Sequence, residues 1–80
     1  VRDEQDLTPW FPASVKPVRE GVYQRLYDEG PAFCRWDGRY WHIGILVQRR
    51  YAHMQATIMN IAAPNQDLPW RGLAKEQANA

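Results

Sequence analysis

The sequence predicts an α+β domain: a three-stranded antiparallel β-meander packed against one α-helix, with extended aromatic segments at the N- and C-terminal ends. Three observations carry this. The stretch Gly21–Ile45 alternates apolar and polar residues around an Asp-Gly pair, as half-buried strands joined by a tight turn do. Past Ile45 the apolar spacing lengthens to steps of three and four, the period of an amphipathic helix. Proline interrupts both flanks, so the Trp- and Phe-containing segments at either side read as extended chain.

Val1–Leu7 is charged and is expected to be frayed. Thr8–Pro17, TPWFPASVKP, holds three prolines and is expected to be stiff, with Trp10 and Phe11 packing back on the body of the domain or offering a strip to a partner. Val22–Tyr27 forms the first strand, and Asp28-Glu29-Gly30-Pro31 a four-residue loop into the second. That connection places Tyr23 and Tyr27 on one face and Val22, Leu26 and Phe33 on the other.

Asp37-Gly38 suits a two-residue type I′ turn, because glycine takes φ > 0 freely and aspartate tolerates it. With that turn, Ala32, Cys34, Trp36, Trp41, Ile43 and Ile45 share the apolar face, and Arg39 lies over Trp36 at the rim. The helix is expected over about residues 47–62, or from a later start if the apolar run Ile43–Val47 lengthens the third strand. Its stripe Val47, Tyr51, Met54, Ile58 and Ile61 would cover one sheet face, and Pro64 would stop it. Tyr23, Trp36, Trp41, Ile43 and Ile58 are the expected core. In the tail, Leu68, Trp70 and Leu73 are expected to dock, Gly72 to turn the chain, and KEQANA to fray.

Eighty residues make one small domain with a limited core. A single cysteine excludes an internal disulfide and the paired-cysteine zinc patterns, and a free thiol suits a reducing cytoplasm. No 18-residue apolar run predicts a membrane span. A net charge of +1 with interspersed acids and bases describes a solvated surface and not a polyanion magnet.

Catalytic signatures are missing. Cys34 and His42 point to opposite faces in the expected register, His53 stands apart, and no spacing gathers three metal ligands. No enzyme, metal or cofactor is therefore expected. Arg35, Arg39, Tyr40 and His42 on the second hairpin, then Arg49 and Arg50, are the candidate binding residues. Arginine and aromatics in this proportion suit a protein-interaction module. The same mixture suits DNA or RNA, with Arg25, Arg35 and Arg39 among Tyr23, Tyr40 and Trp36 stacking bases and holding phosphates. Self-association through an exposed edge of the first or third strand is a further expectation.

Taken in order, TPWFPASVKPVREGVYQR, CRWDGRYW and DLPWRGLA resemble a set of small proteins encoded by phages and prophages of proteobacteria. The likeness spans residues 8–74 and departs from that pattern between Ile45 and Ala63, where a longer apolar segment stands. It implies a phage or bacterial protein of the cytoplasm, with a host or phage protein as partner. It implies no activity.

Overall fold

At the centre lies a hairpin of two seven-residue strands, β1 (Gly21–Tyr27) and β2 (Gly30–Trp36). The computed structural model describes residues 7–72. The strands pair from Gly21 opposite Trp36 to Tyr27 opposite Gly30, so only Asp28 and Glu29 form the turn. Gly30, at φ +124°, supplies the backbone conformation that closes it. The expected four-residue loop is thus shorter by two residues, because Pro31 joins the strand. Opposite it, the Leu26 N–H points outward to Pro69 O, so this pair needs no hydrogen bond from Pro31.

Three shorter elements follow: β3 (Ile45–Leu46), helix α1 (Ala52–Thr57) and β4 (Trp70–Arg71). The sheet order is β3-β2-β1-β4, with every pairing antiparallel. Four strands therefore replace the expected three. The C-terminal aromatic segment does not merely dock; it satisfies the outer edge of β1, with Gln24 opposite Arg71 and Arg25 opposite Trp70. The N-terminal arm extends this edge, as Phe11 exchanges two backbone hydrogen bonds with Trp70 (2.7 and 3.1 Å) and Thr8 N donates to Gly72 O.

The second turn is also longer than expected. Trp36 faces Trp41, leaving Asp37–Tyr40 as a four-residue loop closed by Asp37 N donating to Tyr40 O at 3.2 Å. Only Gly38, at φ +95°, has positive φ there, so the turn is not type I′. Asp37 Oδ1 accepts the N–H groups of Arg39 and Tyr40, which makes the wider loop self-contained. Arg39 consequently lies away from Trp36, whose ring meets Trp41 at 5.1 Å.

The return segment then shifts by one residue. Trp41 pairs with Trp36, yet Ile45 pairs with Phe33, so Ile43 and Gly44 together stand against Cys34 in a β-bulge. The bulge moves Ile45 off the core face and brings Leu46 against the core. Residues 61–63 pair onto Trp41–Ile43, with His42 opposite Ala62 and Ala63 N donating to Trp41 O.

This ordering rolls the sheet around Tyr23, Ala32, Cys34, Trp36, Trp41 and Trp70, all buried. Tyr23 meets Trp41 and Trp70 edge-on at 5.9 and 5.2 Å, and Phe11 lies 4.7 Å from Trp70. Such tilted and edge-to-face pairs are the favoured aromatic geometries. Tyr23, Trp36 and Trp41 are core as expected. Ile43 and Ile58 are not: they are 37% and 81% exposed.

Helix α1 covers the second sheet face over β2, but it is far shorter than 47–62. Tyr51, at φ 61°, cannot belong to a right-handed helix, so the helix begins after it. Its far end gives way to the 61–63 pairing, whose backbone groups are bonded to Trp41 and Ile43 instead. Ala52 and Ala56 form its buried side. Alanine lets the helix approach closely, and His53 meets the Phe33 ring edge-on at 5.3 Å. The expectations for Val1–Asp6, Leu73 and KEQANA lie outside the described residues.

Candidate functional site

Of the stripe read from the helical period, Val47 is half-buried ahead of the helix and the other four residues face outward. Tyr51, Met54, Ile58 and Ile61 are 62%, 64%, 81% and 60% exposed, opposite the alanines that contact the sheet. Met54 lies within α1, Tyr51 and Ile58 cap its two ends, and Ile61 follows where the chain enters its pairing with Trp41–Ile43. Ile43 lies directly across from Ile61, its N–H donating to Ile61 O at 2.8 Å. From Tyr51 through Gln66 the chain carries no Asp, Glu, Lys or Arg. Charge first returns N-terminal to it, where the Arg50 guanidinium lies 5.4 Å from the Tyr51 ring centroid.

Tyr51 is also the one described non-glycine residue with positive φ. A left-handed backbone at a bulky residue costs on the order of 1–2 kcal/mol, so the fold holds this ring outward against a local preference.

The predicted binding residues scatter. Arg35 is half-buried and engaged, its Nε donating to Met59 O at 3.0 Å and Nη2 to Asn60 Oδ1 at 3.1 Å. It ties the chain after α1 to β2. Arg39 and Tyr40 are exposed on the four-residue loop. His42 is buried beneath that loop, with Nε2 2.8 Å from Asp37 Oδ2 and Nδ1 without a partner among the described residues. The hydrogen bond from His42, then those from the Tyr40 and Arg39 N–H groups, hold the Asp37 carboxyl well below the usual carboxylate range. Arg49 and Arg50 are exposed at the head of the apolar stripe. Of the six, these two therefore stand at its N-terminal end, while Arg35 reaches the chain between Ile58 and Ile61.

Arg25 is fully buried on the core face, between the Tyr27 and Trp41 rings at 5.6 and 5.1 Å. It donates to Asn65 O and to Tyr27 Oη, while its Nε has no partner among the described residues. Tyr23 and Trp36, expected as stacking rings, are buried as well. Cys34 is also interior, its Sγ 3.7 Å from Tyr27 Oη. Burial pushes the Cys34 thiol up and the Tyr27 phenol up to about 12, which keeps both neutral.

Two open grooves of ≈510 and ≈490 Å³ share Val22, Tyr23 and His53 in their linings. The first is bordered by Arg19, Glu20, Arg35 and Thr57, the second by Leu7, Phe33, Val47 and Arg71. Among the described residues no group of three or more His, Cys, Asp or Glu is placed to hold a metal ion. No described helix is long and apolar enough to cross a membrane.

Sequence reasoning placed Tyr51, Met54, Ile58 and Ile61 inside. The signals for the opposite orientation were the charge-free run and the alternative inward pair, Ala52 and Ala56. In comparisons with known proteins, no family model, curated protein or solved structure matches this chain.

Proposed function

We propose that this chain is a small non-enzymatic protein-interaction module whose contact surface is the stripe Tyr51, Met54, Ile58 and Ile61. The single observation that carries the reading is that stripe: four large apolar side chains, each at least 60% exposed, in a segment without a formal charge. Charge depletion at the centre with aromatic and Met side chains, and arginine at the margin, is the composition of protein interfaces. Arg49 and Arg50 supply the margin. The likeness to phage and prophage proteins supplies the setting, a bacterial cytoplasm in which the polypeptide covering the stripe is phage- or host-encoded.

The interior positions of Arg25, Tyr23 and Trp36 favour this reading over nucleic acid, since a base needs an open ring to stack on. The test is capture from bacterial lysate by the tagged full chain and by its Ile58→Glu variant, with nuclease treatment and a high-salt wash. Associated protein that resists nuclease and salt, and is lost with Ile58→Glu, supports the module. Recovery abolished by nuclease or salt in both chains overturns it in favour of nucleic acid.

A further inference from the structure

We infer that the polypeptide covering the stripe is a second copy of this chain, docked helix against helix across a two-fold axis. The inference rests on the interaction-module reading and names the partner of that same surface.

Area is the first argument. Side chains exposed to the extent of Tyr51, Met54, Ile58 and Ile61 present on the order of 400–500 Å² of apolar surface, within the ~300–600 Å² found for a monomer's largest patch. A stable interface takes about 800 Å² from each partner. The apolar stripe supplies more than half of that, and the exposed Arg49, Arg50, Gln55 and Asn60 surround it. Homodimer contacts are also the more apolar class of interface, which matches a patch without charges.

Charge decides the orientation. Arg49 and Arg50 stand at one end of the stripe; at the other, the last turn of α1 holds no basic residue and Arg35 is engaged with Met59 O and Asn60 Oδ1. Parallel helices would set four arginines together. Antiparallel helices set the two arginine pairs at opposite ends of the contact, which keeps like charges apart. The stripe is then complementary to itself, as a closed two-fold contact requires, and Met54 and Gln55 lie nearest the axis.

The experiment is sedimentation equilibrium of the full chain over a wide concentration range, with Ile58→Glu and Tyr51→Gly as variants. The expected result is a mass twice the 9.4 kDa chain at high concentration, falling to 9.4 kDa on dilution. Ile58→Glu should stay at the chain mass throughout, and Tyr51→Gly should dissociate at least tenfold more readily. Glycine accepts φ 61° without strain, so Tyr51→Gly removes the ring while preserving the fold, which circular dichroism checks. A short bis-maleimide should join Met54→Cys chains as dimers, since Cys34 is buried and does not compete. A wild-type chain at 9.4 kDa at every concentration overturns the inference, as does a dimer that Ile58→Glu leaves intact. If the chain is monomeric yet captures another protein in an Ile58-dependent way, the second copy is rejected and the module reading survives. If neither association depends on Ile58, both fall.

Discussion

The Arg25 guanidinium sits 5.1 Å from the ring centroid of Trp41, inside the core and without a carboxylate partner among the described residues. Its charge is held by two aromatic faces, the Tyr27 hydroxyl and the Asn65 carbonyl. A buried cation retained on so few acceptors is expensive to desolvate, and its removal is informative.

Arg25→Met should therefore be tolerated better than Arg25→Lys. Methionine keeps the volume and removes the charge. Lysine keeps the charge but cannot span the Tyr27 and Asn65 acceptors with one planar group. Urea denaturation should show a loss of about 1–2 kcal/mol for Met and at least 3 kcal/mol for Lys. The reverse order would show that the charge itself stabilises the core.

Gly44 is required by closeness and not by backbone angle. A Cβ there would lie 2.7 Å from Cys34 Sγ and 3.0 Å from Ala32 Cβ. Gly44→Ala should cost about 1–3 kcal/mol through overpacking. Adding Cys34→Ala should recover at least ~0.5 kcal/mol of coupling, because the sulfur is the nearest obstacle. Strict additivity in the double-mutant cycle would place the strain elsewhere.

Trp70 belongs to the fold. It is buried, meets Phe11 and Tyr23, and donates Nε1–H to Val15 O at 2.6 Å. Trp70→Ala should destabilise the chain by about 3–5 kcal/mol. Trp70→Phe should retain most of that packing but leave the Val15 carbonyl short of a donor. A fully stable Trp70→Ala protein would move this residue from the core to a binding role.

The Asp37–His42 contact sets an acid dependence. The Asp37 carboxyl is held down in the folded chain, so its stabilisation is present above the ordinary carboxylate pKa of about 3.9. As pH falls below that value the unfolded chain takes up the proton first, and stability declines toward the lowered folded pKa. Denaturation midpoints measured from pH 5 downward should fall less steeply for Asp37→Asn than for the parent chain. Parallel slopes would exclude the contact as a source.

At the alkaline end the sign is opposite. The Tyr27 phenol, raised to about 12 by burial, stays protonated where an unfolded tyrosine ionises near 10, so stability should fall as pH rises between those values. Spectrophotometric titration should show one of the four tyrosines ionising last, and Tyr27→Phe should remove that component.

The sequence by itself determined what neighbouring residues settle among themselves. Turns fall within Asp28–Pro31 and around Asp37-Gly38, the aromatic face alternates along β1 and β2, and a helix follows Ile45. Each depends on backbone period or turn chemistry over a few residues. The burial of Arg25 was half legible, since alternation puts it with Tyr23 and Tyr27; arginine's preference for water argued the other way.

Only the tertiary structure decided the rest, because the deciding partners are far apart in the chain. Arg25 meets Asn65 40 residues on, and Trp70 reaches Val15 55 residues back. The fourth strand exists because the outer edge of β1 needs hydrogen-bond partners, and the tail provides them. Which side of α1 turns inward depends on the room above β2, where Ala52 and Ala56 fit. Period alone describes a stripe and is silent about whether the sheet, the solvent or a second chain will cover it.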